Sequence, residues 1–384
     1  MTVKTEPALK QLRVDNVGSM LRPPALQDAF ARFLRGDANG ADLARAEDDA
    51  IRDLVAKQEE LGFPVIVDGE FRRPHYLASF AEVEGARDWL QRWAQVLEGL
   101  GRERPETDGA AEGHDPVQEQ AMRVPATAPL RLVRNRPLDE YRFTSSLTRQ
   151  PVKVTILGPD RVQSLHAIED PESVYDDPDR FIDDVVAVER EMIRQLVEHG
   201  CRYVHIDEPG FTSYVDEHSL AAMRARGADP QVVMERSIRA SNALIAGFPD
   251  VTFGVHLCRG NRQSQWHREG TYDAIAEQVL GGLDYDRLLL EYDTDRAGGF
   301  EALRFVRKGT VVVLGLLTTK SGELEERDVL MRRIDEAARY VPIEQLALST
   351  QCGFASSLAG NLISEAEQWR KLERVLDVAA EVWG

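Results

Sequence analysis

Short continuous apolar runs recur along this chain, at 13–19, 64–69, 152–157, 202–207, 251–257, 287–292, 310–316 and 345–350. They do not alternate with polar residues, which predicts strands buried on both faces of a parallel sheet. Amphipathic stretches separate most of them. Helices are predicted over 41–61 and 178–199, with apolar residues recurring at three and four, and over 230–246, 272–280, 323–340 and 364–382. Asp177 before Pro178 forms an N-cap followed by proline in the first turn, and Gly62 and Gly200 follow helix ends. Eight strands alternating with helices predict an α/β fold, a (β/α)8 TIM barrel. The alternative is an open, doubly wound sheet, but no GxGxxG opens a helix after a strand.

One stretch breaks this rhythm. Residues 74–150 intervene between the second and third strands and contain WLQRWAQVLEGL followed by the Gly-, Pro- and Glu-rich GRERPETDGAAEGHDP. The chain therefore reads as one barrel domain over 1–384 with an inserted segment at about 74–150, whose end, 128–151, is predicted to form a hairpin.

Composition narrows the function. The chain has 384 residues, 43% of them hydrophobic, and a formal net charge of −18 without any long basic run. That balance argues against nucleic acid as a partner. No apolar stretch reaches 18 residues and the first residues lack an apolar signal core, so neither a membrane span nor a secretory leader is expected. Three cysteines in so long a chain fit a reducing cytoplasm rather than a disulfide framework.

In a barrel, reactive groups gather at the C-terminal ends of the strands. Polar residues occur there: Ser19, Asp68 and Glu70, Asp207 and Glu208, His256 and Cys258, Glu291 and Cys352. Two thiols, an imidazole and a carboxylate form a borderline-soft donor set of the kind zinc favours. His256 and Cys258 are two apart and share one face of an extended strand. Glu291 follows three leucines, and a carboxylate ending a buried strand is costly unless paired or bound to metal. Plainer readings stand beside these. A lone cysteine such as Cys201 behaves as a small hydrophobe. Asp207 and Glu208 could cap the following segment, and Arg72 and Arg73 could form a surface ion-pair patch. A metal held by this set would keep a substrate thiol as thiolate near neutral pH, which is the chemistry of alkyl transfer to sulfur.

Six ordered segments, GSMLRP, VDGEFRR, HIDEPGF, HLCRGN, LLLEYD and STQCGF, resemble the motifs of the cobalamin-independent methionine synthase superfamily. The match runs from Val17 to the final helix and looks like the short, single-barrel members, which correspond to the catalytic C-terminal half of the long enzyme. The resemblance implies a zinc-dependent S-methyltransferase with His256, Cys258, Glu291 and Cys352 as metal ligands. It implies that Asp207 and Glu70 orient a homocysteine-like thiol, with Ser19, Arg72 and Asn261 among the substrate-binding residues. An ammonium wants carboxylates, and a carboxylate wants backbone N–H groups such as those around Ser19.

The chain also departs from the family pattern. The stretch LGLLTTKSGELE lacks the histidine that the long enzymes carry after the seventh strand, and offers Lys320 and Glu323 instead. Thr212 and Ser213 stand where an acid follows the IDEP motif, and the folate-binding half is missing. The expected methyl donor is therefore a methyl-folate, a corrinoid or donor protein, or another small methyl compound. An epoxyalkane:coenzyme M-type transferase is the alternative, in which Arg72 and Arg73 would meet a sulfonate. A non-catalytic zinc or redox protein and a metal-free decarboxylase are weaker rivals.

Overall fold

The computed structural model describes residues 9–86 and 123–384. Six strands form one parallel sheet in chain order: β3 (Lys153–Leu157), β4 (Tyr203–Asp207), β5 (Thr252–Leu257), β6 (Arg287–Glu291), β7 (Val311–Leu317) and β8 (Leu346–Thr350). Every residue of all six is buried, as continuous apolar runs require when both faces are covered. The two earliest predicted strands take their places at the sheet's ends. Val14 bridges in parallel to Leu348 on β8, and Ile66 bridges to Val152 just before β3. The order is that of a (β/α)8 barrel, with positions one and two reduced to single bridges.

The reduction has a local cause. The side-chain amide of Gln58 donates to Val67 O at 2.8 Å and accepts from Val67 N at 3.1 Å. It satisfies the two backbone groups that a ladder neighbour would otherwise hold. In the first segment, Asn16 N donates to Asp15 Oδ1 at 3.0 Å and the Lys153 ammonium donates to Asn16 O. Side chains thus replace strand pairing on the side where these two segments face one another.

Most predicted helices occur within a residue or two of expectation: Gly40–Leu61, Pro178–Glu198, Pro230–Ile245 and Glu365–Trp383. The stretch at 323–340 becomes helical only over Arg327–Ala337. Glu325 is drawn away to Thr318 N (2.8 Å) and to the Lys371 ammonium (3.0 Å). The stretch at 272–280 is a 3-10 turn over Tyr272–Ala274 followed by a π-turn over Ala276–Leu280 rather than an α-helix.

The hairpin expected at 128–151 is not formed. β2 (Arg131–Leu132) pairs antiparallel with β1 (Val83–Glu84), and Arg136–Ser145 is a helix. Asn135 Oδ1 caps Leu138 N at 3.2 Å, and Pro137 occupies the first turn, where its missing N–H costs nothing. The tryptophan-bearing and Gly/Pro/Glu-rich parts of the inserted stretch, 87–122, lie outside the described residues. Among the described residues, no helix is long and apolar enough to cross a membrane.

Candidate metal centre and substrate site

β5 carries His256 to its C-terminal end and Cys258 just beyond, and the turn after β8 supplies Cys352. The imidazole and the two thiols lie within 4.8 Å of one another, and all three side chains are buried. His256 Nδ1 sits 3.3 Å from Leu289 O on the neighbouring strand, while Nε2 has no hydrogen-bond partner among the described residues. An imidazole anchored through one nitrogen with the other left bare is how a metal-binding histidine is oriented.

The electrostatics agree with that donor set. A hydrogen bond from Cys352, and then the neighbouring His256, holds the Cys258 thiol well below its ordinary range. The same hydrogen bond together with burial pushes Cys352 well above it. Burial lowers His256, but the neighbouring groups Cys258, Asp207 and Glu291 together raise it above its ordinary value. One sulfur is therefore readily ionised beside an imidazole, which suits a divalent cation that needs deprotonated sulfur. No ion is present, and these residues fit one.

Glu291, the fourth expected ligand, ends β6 beside this cluster but is otherwise engaged. Its Oε2 accepts from Arg259 N at 2.7 Å and its Oε1 from Arg296 at 2.9 Å, with the Lys320 ammonium 3.9 Å from Oε1. The structure brings three of the four expected ligands together and holds the carboxylate with cations.

Two carboxylates face the same end of the barrel. Asp207 is in register with His256 across β4 and β5, and its Oδ1 lies 3.2 Å from His205 Nε2. Burial pushes Asp207 up to about 6, with His256 opposing. Glu70 accepts from Thr155 Oγ1 at 2.8 Å, Arg73 donates to that hydroxyl at 2.9 Å, and Glu70 Oε2 is buried without a hydrogen-bond partner among the described residues. Burial raises Glu70, Arg73 opposes it, and Asp207 adds to the rise. The Arg73 guanidinium stands 3.8 Å from Glu70 Oε1, and Glu70 Oε2 keeps spare acceptor capacity.

Glu70 has a φ of 58°, left-handed for a non-glycine residue, which is the kind of local strain that fold support must offset. Gly18, at φ 147°, lies so close that a Cβ there would stand 2.7 Å from Thr155 Cγ2 and 3.4 Å from Glu70 Oε1. Ser19 follows, and its carbonyl accepts from Phe354 N at 2.8 Å, which seats it beside the turn that carries Cys352. A Cβ on Gly353 would collide with Ser19 Oγ at 2.0 Å, so only glycine permits this approach. Asn261 Nδ2 donates to Gly353 O at 2.6 Å, tying the loop after β5 to the same turn.

Arg72 points elsewhere. It pairs with Glu47 (3.3 Å) and Asp48 on the helix Gly40–Leu61, and its guanidinium lies 4.6 Å from the centre of the Phe143 ring. Glu208 likewise leaves the site. It accepts from the backbone N–H groups of Asp160 and Arg161 at 3.1 Å each and caps the short helix Pro159–Ser164. Cys201 is buried as expected of a small hydrophobe, which pushes its thiol up to about 12.

Sequence reasoning missed Tyr76 and Arg296. Tyr76 sits in the inserted stretch, accepts from Arg161 Nε at 3.0 Å, and lies near enough to Cys258 and Asp207 to be raised by them once burial has acted. Nothing in its local pattern marks it. Arg296 sits in the 3-10 turn Asp295–Ala297, and its proximity to Glu291 in sequence was the available signal.

The family model described as "Cobalamin-independent synthase, Catalytic domain" matches residues 14–379. A Bacillus subtilis protein of uncharacterised function, YxjH, is 36% identical over 384 residues, covering 99% of this chain and 97% of its own. A 5-methyltetrahydropteroyltriglutamate–homocysteine methyltransferase of Shewanella oneidensis is 24% identical over 90% of this chain, which spans 40% of that longer protein. Among solved structures, a putative vitamin-B12-independent methionine synthase from Listeria monocytogenes superimposes with a TM-score of 0.73 at 28% identity, covering 97% of this chain and 98% of that one. With a family model covering nearly its whole length, this chain belongs to the cobalamin-independent methionine synthase family, as a catalytic-domain member.

Proposed function

We propose that this protein transfers a methyl group to the sulfur of a small thiol, homocysteine being the acceptor that fits best, with zinc as its metal. The carrying observation is the convergence of His256, Cys258 and Cys352 within 4.8 Å, beside the buried carboxylates Asp207 and Glu70. His256, Cys258 and Cys352 would hold the ion, with Glu291 at hand. When bound, zinc would lower the pKa of a substrate thiol and present its sulfur as a nucleophile near neutral pH.

The chain's own residues supply the rest. Asp207 and Glu70 Oε2 receive the substrate ammonium, which gives two buried acids a further cationic partner. Arg73 and Thr155 fix Glu70 in place from behind. The backbone at Gly18–Ser19 and Asn261, packed on the turn at Gly353, closes the end where the substrate carboxylate would lie. The substrate's sulfur pair forms the new S–C bond, while the C–X bond of the donor breaks with its electrons leaving on X. The donor is a methyl-folate, a corrinoid-borne methyl group or a smaller methyl compound.

The thiol-to-epoxide reading asks for cations that grip a sulfonate. Arg72 is held by Glu47 and Asp48, and Arg73 by a bidentate contact to Glu140 at 2.6–3.1 Å, which weighs against it. The test is a donor screen with zinc-loaded protein and homocysteine, scored by methionine formed. Methionine from at least one donor, with no thioether from coenzyme M and an epoxide, supports the proposal. Turnover of coenzyme M alone would overturn it.

A further inference from the structure

Methyl transfer makes one demand that the thiol site does not meet. The atom X that gives up the methyl gathers the electron pair of the broken C–X bond, and a hydrogen-bond donor aimed at that charge lowers the barrier. Tyr76 offers such a donor. It opens the 3-10 turn Tyr76–Phe80 and is fixed from two sides of the barrel mouth. On the β8 side, Tyr76 N donates to Ser356 O at 3.0 Å, Leu358 N donates to Pro74 O at 3.0 Å, and His75 bridges to Ser357. These bonds tie it to the loop that follows Cys352. On the β3 side, its phenol oxygen accepts from Arg161 Nε at 3.0 Å. Arg161 lies in the helix Pro159–Ser164, which begins two residues after Leu157, the register partner of Asp207. The side chain therefore spans the mouth from β8 to β3, at the end of the barrel where Asp207 and His256 stand side by side.

The hydroxyl reaches this place with its own proton unused. Its oxygen accepts from Arg161, and its O–H meets no acceptor among the described residues. Burial raises the phenol, Arg161 opposes the rise, and Cys258 and Asp207 add to it, so the group stays protonated near neutral pH. A cationic donor on the oxygen polarises the O–H and strengthens the hydrogen bond it can give.

We propose that Tyr76 is a catalytic residue whose O–H donates a hydrogen bond to X as the methyl leaves, with Arg161 as the positioning residue behind it. The inference rests on the proposed methyl transfer to a thiol. The sulfur, already without its proton, supplies the pair for the new S–C bond, the C–X pair goes to X, and X takes its proton from water afterwards. The O–H bond of Tyr76 stays intact throughout. Its contribution grows with the basicity of X, so Tyr76 favours donors whose leaving atom becomes strongly basic and gives little to a weakly basic one.

The test uses the full, zinc-loaded chain with homocysteine and two kinds of methyl source. One is 5-methyltetrahydrofolate, as monoglutamate and triglutamate, whose leaving nitrogen becomes strongly basic. The other is methyl iodide, whose iodide is a very weak base. Tyr76→Phe is expected to lower kcat with the folate by about 100-fold, the scale of losing one donor to developing charge. Its rate with methyl iodide should change by less than about 2-fold, which also shows that the variant is folded. Zinc content and KM for homocysteine should stay as in the parent. Arg161→Met should show the same pattern with a smaller loss. The proposal is overturned if Tyr76→Phe slows both methyl sources equally, slows neither, or raises KM for homocysteine instead. It is also overturned if the parent takes its methyl from neither folate form. Lys320, whose buried ammonium also lacks a hydrogen-bond partner among the described residues, is the rival donor, and the folate-specific loss appearing in Lys320→Met but not in Tyr76→Phe would equally overturn it. If the zinc-loaded parent methylates homocysteine with methyl iodide no faster than the metal-free protein does, the thiol-methylation reading itself has failed, and this assignment with it.

Discussion

Asp207 and His256 are register partners on adjacent strands, so one barrel rung sets the carboxylate proposed to meet the substrate beside the imidazole proposed to hold the metal. The two roles are separable because Asp207 answers to His205 and to burial, whereas His256 is anchored to Leu289 O. Asp207→Asn should therefore keep the metal and lose the acceptor. The expected cost is ~30-fold or more in kcat/KM for homocysteine, about 2 kcal/mol, seen mainly in KM. Steady-state kinetics with metal analysis on the same sample checks it, and a variant that loses its zinc would contradict the separation.

Arg72 gives the opposite expectation. Its guanidinium serves the helix Gly40–Leu61 and the Phe143 ring. Arg72→Met should leave KM for homocysteine unchanged and lower stability by about 1 kcal/mol, the scale of a partly exposed ion pair with a cation–π contact. A large rise in KM would return Arg72 to the substrate site.

Gln58 replaces strand pairing at Val67, and its loss should be felt in the core. Gln58→Leu leaves the buried Val67 N–H and C=O without partners, a penalty of about 3 kcal/mol. Urea unfolding at neutral pH measures this as a lower midpoint with an unchanged slope. Near-parental stability would mean that water or a shifted neighbour fills the place.

Acid should destabilise the protein through His166. Burial lowers this imidazole from 6.5 to about 4. The unfolded chain takes up a proton below about pH 6.5 that the folded chain refuses until about 4. The stability contributed by the neutral ring is complete above about pH 6.5 and is lost as pH falls toward 4, on the order of 3 kcal/mol in all. Unfolding midpoints at pH 7 and 5 should converge more closely in His166→Gln than in the parent. An equal pH slope in the two proteins would count against it.

The six central strands were legible because their runs are apolar throughout, and nothing in the core competes with their pairing. The first two positions were legible in place but not in form. That Gln58 and Lys153 would take over the backbone groups of Val67 and Asn16 depends on contacts 9 and 137 residues away in the chain. The helix Arg136–Ser145 was misread because Asn135 and Pro137, turn residues in isolation, here act as a cap and a first-turn proline.

At the site, His256, Cys258, Cys352, Asp207 and Glu70 could be read because donor chemistry at strand ends is a local signal. Loop residues carry no such periodicity. The pairing of Glu291 with Arg296 and Lys320, the remote engagement of Arg72 and the approach of Tyr76 all follow from how loops fold back. No local pattern records that.

In the proposed function, a metal centre built on His256, Cys258 and Cys352 serves thiol methylation. Zinc content and methionine formation from homocysteine, measured together on the parent protein and on Cys352→Ser, test it most directly. About one zinc ion per chain is expected in the parent, with loss of metal and of methionine formation together in the variant. A parent that forms methionine without metal, or a Cys352→Ser protein with undiminished zinc and activity, would contradict it.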